Sequence, residues 1–261
     1  MRQRRLAALG LSLAVLFTGF TGFVAAPAQA ASVDYVALGD SYSSGVGAPG
    51  VSGLCLRSPL GYPQLWVNTH QVASFRTAAC GGAVTDNVRD LQVWALGSGT
   101  DTVTITIGGN DVGFASAMIT CTLGSTASCL DAVNDGRDYA ATTLPGDLDA
   151  TYAAIRSHAP GAKVYVLGYP RLFEEGTCSG GLSLTKRQVI NQAADELSGV
   201  IAGRAAAAGF TYIDVRSAFA GHGICASSPW INAFSLSVRA FHPNAAGYRN
   251  GYLPALSAAT G

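Results

Sequence analysis

Thr102-Val103-Thr104-Ile105-Thr106-Ile107 carries a β-branched side chain at every position. Such a run favours extended backbone, and no charge marks either of its faces for water. A central strand buried on both faces needs a packed layer on each side. Helices on both faces of a mostly parallel sheet supply those layers. Four other segments read as strands: Val33 to Leu38, Val72 to Ala79, Lys163 to Leu167 and Phe210 to Val215. Predicted helices alternate with them. They run from Tyr62 to His70, from a Thr85 cap through Val88, Leu91 and Trp94, and from Val112 to Ile119. Three more run from Leu144 to His158, Leu184 to Ala208 and Asn244 to about Ser257. Strands alternating with helices imply βαβ units with right-handed crossovers, hence an α/β fold. No internal repeat and no linker interrupts the pattern, so residues 31–261 read as one domain.

The 261 residues are 49% hydrophobic and only 12% charged, enough for a sizeable core and unlike a disordered chain. Arg2, Arg4 and Arg5 precede an apolar run from Leu6 to Ala26, and Ala28-Gln29-Ala30 ends it. That is the pattern of a signal peptide cleaved after Ala30, which predicts a secreted, extracellular protein. The run is also long enough for an uncleaved span at about 20 residues, but the small-x-small motif favours cleavage. The leader holds 3 of the 16 basic residues, leaving 13 against 16 acidic ones, a net of −3. No basic cluster marks a nucleic-acid partner.

Export suits the six cysteines, Cys55, Cys80, Cys121, Cys129, Cys178 and Cys225. An even count in an exported chain implies disulfides, with fifteen pairings open. Nearest-neighbour pairing is the simplest: Cys55–Cys80, Cys121–Cys129 and Cys178–Cys225. No Cys-x-x-Cys spacing suggests a metal or redox site. The loop Gly45-Val46-Gly47-Ala48-Pro49-Gly50 matches a dinucleotide fingerprint, but Pro49 breaks the helix that must open there. Asp131 to Thr142 resembles a calcium loop only loosely, since Val133 and Thr142 occupy ligand positions. No cofactor and no metal is therefore expected.

Chemistry gathers at the strand ends. The first strand breaks at Gly39-Asp40-Ser41, the second at Cys80-Gly81-Gly82-Ala83 and the third at Gly108-Gly109-Asn110-Asp111. In open α/β sheets ligands sit at that carboxyl edge. Phe241-His242-Pro243-Asn244 stands in a late loop. Each feature alone has an ordinary use as a turn or a helix cap. Together they are the set that acyl transfer needs. A serine hydroxyl needs a base to take its proton, and histidine serves near neutral pH. The tetrahedral intermediate needs preorganised donors, for which the Ser41 and Gly82 amides and the Asn110 side chain are candidates. His70, His158 and His222 read as surface or structural histidines, and G-x-S-x-G occurs nowhere.

The four ordered blocks, Gly39-Asp40-Ser41, Gly82, Gly108-x-Asn110-Asp111 and His242, resemble the SGNH (GDSL) hydrolase family across the mature chain. The resemblance implies a three-layer, flavodoxin-like, five-stranded sheet in the order 2-1-3-4-5 and ester hydrolysis through an acyl-serine. The signal peptide, the six cysteines and Gly-Asp-Ser-Tyr-Ser look like the secreted bacterial lipase, esterase and phospholipase branch, which also implies neighbour pairing of the cysteines. One position departs from the pattern. An aspartate usually stands three residues before the histidine, and here Arg239 does; no Asp or Glu follows Asp214. A backbone carbonyl near Arg239 or Trp230 is therefore expected to orient His242, giving a Ser41–His242 dyad. The expected substrate is a small-molecule or lipid ester, met by a monomer with transient lipid-surface contact. A phospholipase A, a carbohydrate deacetylase and a non-catalytic binding protein are the alternatives. Tyr42, Phe114, Phe234 and Phe241 are candidates to line an acyl pocket, and Arg57 and Arg171 to meet an anionic headgroup.

Overall fold

The computed structural model describes residues 32–178 and 181–261; the expected leader, residues 1–30 with its cleavage site, lies outside them. Five strands form one sheet: β1 (Val33–Gly39), β2 (Val72–Thr77), β3 (Thr102–Thr106), β4 (Lys163–Leu167) and β5 (Thr211–Ile213). Their order is β2-β1-β3-β4-β5 and every pairing is parallel. All five positions of β3 are buried, as a central strand covered on both faces requires. Burying a side chain such as Ile105, which is fully enclosed, stabilises the fold by roughly 1.5–3 kcal/mol.

Helices surround the sheet. They are α1 (Ser41–Ser44), α2 (Tyr62–Val67), α3 (Thr85–Asn87), α4 (Phe114–Leu123), α5 (Thr126–Thr142), α6 (Leu144–His158), α7 (Leu184–Ala207) and α8 (Leu253–Thr260). One group packs α4, α5, α6 and α7 against one another; the other pairs α2 with α8. The described residues form one compact unit. No helix among the described residues is long and apolar enough to cross a membrane.

Among the departures from the sequence reading, two helical segments end or turn otherwise than expected and α5 is a helix that reading lacks. The helix expected to His70 ends at Val67. The segment after Gly82 begins at Thr85 itself, then widens into a π-helical turn over Val88–Gln92. That widening rotates the face, so Gln92 and Val93 are buried while Leu91 and Trp94 are exposed. The stretch weighed as a calcium loop lies inside α5, whose Ser125 cap accepts from the Ser128 amide at 3.0 Å.

Register fixes the site. Gly39 pairs with Thr106 across β1 and β3, so the turns after both strands emerge side by side. Gly39 has φ of 115°, and a side chain there would strike the Thr106 carbonyl. Only glycine fits. The structure pairs Cys55 with Cys80, Cys121 with Cys129 and Cys178 with Cys225.

Candidate active site

Ser41 opens α1 directly beyond β1. Asp40 caps that turn: its Oδ1 accepts the Tyr42 amide at 2.9 Å and the Thr106 hydroxyl at 2.6 Å. Its Oδ2 accepts the Tyr169 hydroxyl, and that same hydroxyl accepts the Gly109 amide at 3.1 Å. One phenol thus ties the Ser41 turn to the Asn110 turn. Burial pushes the Asp40 carboxyl up to about 6, against the pull of its three donors. Gln92 holds the turn from the other side, accepting the Gly39 amide at 2.6 Å and donating to the Gly39 carbonyl at 2.9 Å.

His242 arrives on a loop that lacks regular structure. Its Nε2 lies 2.8 Å from Ser41 Oγ, and its Nδ1 lies 2.8 Å from the Ala240 carbonyl. A carbonyl only accepts, so Nδ1 carries the proton and Nε2 presents its lone pair to the hydroxyl. No carboxylate among the described residues bonds the ring; the orienting carbonyl belongs to the neighbour of Arg239. Burial pulls His242 down to about 4, opposed in part by the Ala240 bond, so the ring is neutral at pH 7. A neutral imidazole bonded to a serine hydroxyl is able to accept its proton.

The loop is clamped by side chains. Asn232 Nδ2 reaches the carbonyls of Gly47 (2.9 Å), His242 (3.1 Å) and Arg239 (3.2 Å). The Tyr42 hydroxyl donates to the Phe241 carbonyl at 2.8 Å. Phe241 takes φ of 61°, a left-handed conformation that costs a bulky residue roughly 1–3 kcal/mol and that these bonds hold in place.

The donor cradle follows from the turns. Among the described residues, the Ser41 and Gly82 amides have no hydrogen-bond partner. Gly82 has φ of 81°. Asn110 Nδ2 donates one hydrogen to the Ala83 carbonyl at 2.9 Å, which fixes it to the Gly82 turn and leaves its second hydrogen uncommitted.

A cavity opens beside Ser41, Asn110 and Tyr169 and runs between α4, α5 and α7. Phe114 and Tyr42 line it, whereas Phe234 and Phe241 do not. Of the other predicted candidates, Arg57 donates to the Ala79 carbonyl at 2.8 Å and Arg171 pairs with Asp195 at 2.6 Å. His70 stacks on Trp66, His222 stacks on Trp230, and His158 meets the Trp94 ring edge-on. Sequence reasoning missed Gln92, Tyr169 and Asn232. Tyr169 carries the same signal as Ser41 and Asn110, a polar residue just past a strand end; Gln92 and Asn232 carry none.

The sequence profile of the GDSL-like lipase/acylhydrolase family matches residues 37–249. "Lipase 1" of Streptomyces coelicolor is 49% identical over 268 residues, covering 99% of this chain and all of that one. The crystal structure of an extracellular lipase from Streptomyces rimosus is 49% identical with a TM-score of 0.86, covering 88% of this chain and 100% of that one. Phospholipase A1 from Streptomyces albidoflavus is 47% identical with a TM-score of 0.85, covering 87% and 99%.

Proposed function

Because the chain belongs to the GDSL-like lipase/acylhydrolase family, we propose that it cleaves carboxylic esters of acyl lipids through an acyl-Ser41 intermediate. His242 Nε2 takes the Ser41 proton as Oγ attacks the ester carbonyl. The oxyanion settles against the Ser41 and Gly82 amides and the free Asn110 hydrogen. The imidazolium then gives its proton to the leaving alcohol, and water repeats the sequence in reverse to free the acid. The Ala240 carbonyl does the orienting that an aspartate does in a triad. The observation that carries this reading is the 2.8 Å Ser41 Oγ–His242 Nε2 contact, joining residues 201 positions apart.

Two features favour lipid over polymer-borne acetyl esters. The cavity at Ser41 is walled almost wholly by apolar side chains. Leu54 and Leu236 stand fully exposed, with Phe234 and Val238 beside Leu236 in the loop that leads to His242. A lipid surface would cover such tips. The similarity to a phospholipase A1 favours phospholipid as a second substrate. The site is assembled from one chain, which supports a working monomer, and the Ala28-Gln29-Ala30 motif supports export with cleavage after Ala30.

Labelling with a fluorophosphonate tests the reading. The folded chain is expected to take one label, on Ser41, and Ser41→Ala to take none. An unlabelled, folded wild-type chain would leave only a binding protein on this scaffold.

A further inference from the structure

We propose that the loop Ala233–Arg239, which leads into His242, docks the protein on anionic phospholipid surfaces. The inference deepens the lipid-ester reading above and rests on it. All seven residues of the loop are exposed. Apolar Phe234, Leu236 and Val238 alternate in it with Ser235 and Ser237, and Arg239 closes it. Single exposed apolar residues are ordinary, but three within one short loop mark a contact surface. The neck of the loop is pinned. Ile231 bridges Pro243, the Asn232 amide donates to the His242 carbonyl at 2.9 Å, and the Phe241 amide donates to the Asn232 carbonyl at 2.9 Å. Nearer the tip, the Ala240 amide donates to the Ser237 carbonyl at 3.0 Å. A loop already ordered in this way loses little further freedom on contact. Its neck also carries the proposed base, so docking the tip brings His242 and Ser41 to the surface that holds the ester.

Charge selects the partner. Residues 31–261 carry 13 basic and 16 acidic side chains, a net of −3, which an anionic surface would repel if the charge were spread evenly. It is not. No Asp or Glu lies in residues 41–85 or 215–261. These two segments meet at the site: Gly47 sits against His242 and Pro243, and Asn232 Nδ2 donates to the Gly47 carbonyl at 2.9 Å. Among the described residues Arg239 pairs with no carboxylate, whereas Arg216 is held by Asp195 and Asp214. Apolar side chains that enter the acyl layer, with a cation beside them at the headgroups, make an interfacial contact. A protein partner would need a far wider surface than three side chains offer.

The test is co-sedimentation of the Ser41→Ala protein, which leaves the lipid intact, with two kinds of vesicle. One is phosphatidylcholine alone; the other is an equimolar mixture of phosphatidylcholine and phosphatidylglycerol. The mixture should bind about fivefold more tightly, the worth of one cation at an anionic surface, and Arg239→Gln should remove that preference. Adding Leu236→Asp should weaken binding to both vesicles roughly tenfold or more. Leu123→Asp makes the same charge change at an exposed leucine on α4 and should leave binding as it was. Leu236 is fully exposed, so with Ser41 intact Leu236→Asp should fold and hydrolyse p-nitrophenyl acetate at the unaltered rate while losing activity on vesicles. Equal losses in Leu236→Asp and Leu123→Asp overturn the inference, and equal binding to both vesicles overturns the choice of an anionic surface. A dimer that Leu236→Asp dissociates, with vesicle binding unchanged, makes the loop an interface between copies and overturns it as well. Turnover of the acetate ester without vesicle binding overturns the docking alone. Absence of both turnover and fluorophosphonate label overturns the nucleophile reading itself.

Discussion

Ser41 and His242 touch, yet they are held by different means. The Ser41 turn grows out of a central strand. Sheet register, the Gly39 backbone, the Asp40 cap and the Gln92 bracket define it, all of them buried. His242 rides on an irregular loop, with a strained Phe241 before it and Asn232 as its main clamp. One side is rigid because the fold cannot form without it. The other is rigid because a few side-chain hydrogen bonds make it so. A proposed nucleophile held by the fold and a proposed base held by a clamp can fail independently, and variants should separate them.

The largest effect tests whether the two halves work as one. Ser41→Ala and His242→Ala should each lower kcat by about 10³–10⁶-fold, and the double variant should be no worse than either single one. Additive losses, read from turnover of a short-chain ester, would mean that the two residues act in separate steps.

The next comparison sets bracket against clamp. Gln92→Leu removes both bonds to Gly39; the carbonyl keeps the Cys80 amide at 3.0 Å, but the buried Gly39 N–H loses its Gln92 acceptor, at roughly 1–3 kcal/mol. It should show mainly as a lowered midpoint in urea unfolding. Asn232→Ala lies away from the core and should cost only about 1–2 kcal/mol of stability, while kcat falls roughly 10–100-fold as the imidazole loses its alignment. If Asn232→Ala unfolded the chain as readily as Gln92→Leu, the His242 loop would belong to the fold after all.

The same division explains what the sequence could disclose. The Ser41 and Asn110 turns were legible because a strand that ends in glycine announces its own edge, and the β-branched run at Thr102 placed the sheet. Neighbour pairing of the cysteines was the simplest of fifteen arrangements and His242 one member of an acyl-transfer set; the resemblance strengthened both readings, since nothing local marks a loop histidine as a base. Arg239 excluded a nearby carboxylate, but which carbonyl replaces it depends on backbone direction that the sequence does not encode. Leu91 and Trp94 misled because one π-helical turn shifts the buried face. Gln92 and Asn232 look like any surface amide until the chain has folded around them.

The smallest expected effect is a cancellation. The folded-state pKa of Asp40, about 6, lies above its ordinary value. Its contribution is therefore fully present below about pH 4 and is lost as pH rises through 6. His242, at about 4, lies below its ordinary value. Its contribution is present above about pH 6.5 and is lost as pH falls through 4. The shifts are similar in size, each worth about 3 kcal/mol, and opposite in sign across one window. Together they should largely cancel between pH 4 and 6.5. Substituting either side should unmask the other. His242→Gln should make the chain less stable as pH rises from 4 to 6, and Asp40→Asn should make it more stable as pH rises from 4 to 6.5. The slopes are read as differences between variant and wild type in urea midpoints, which removes the shared titration of surface carboxylates. Parallel profiles for all three proteins would show that neither group titrates with folding, and that the buried Asp40 carboxylate is better solvated than its surroundings imply.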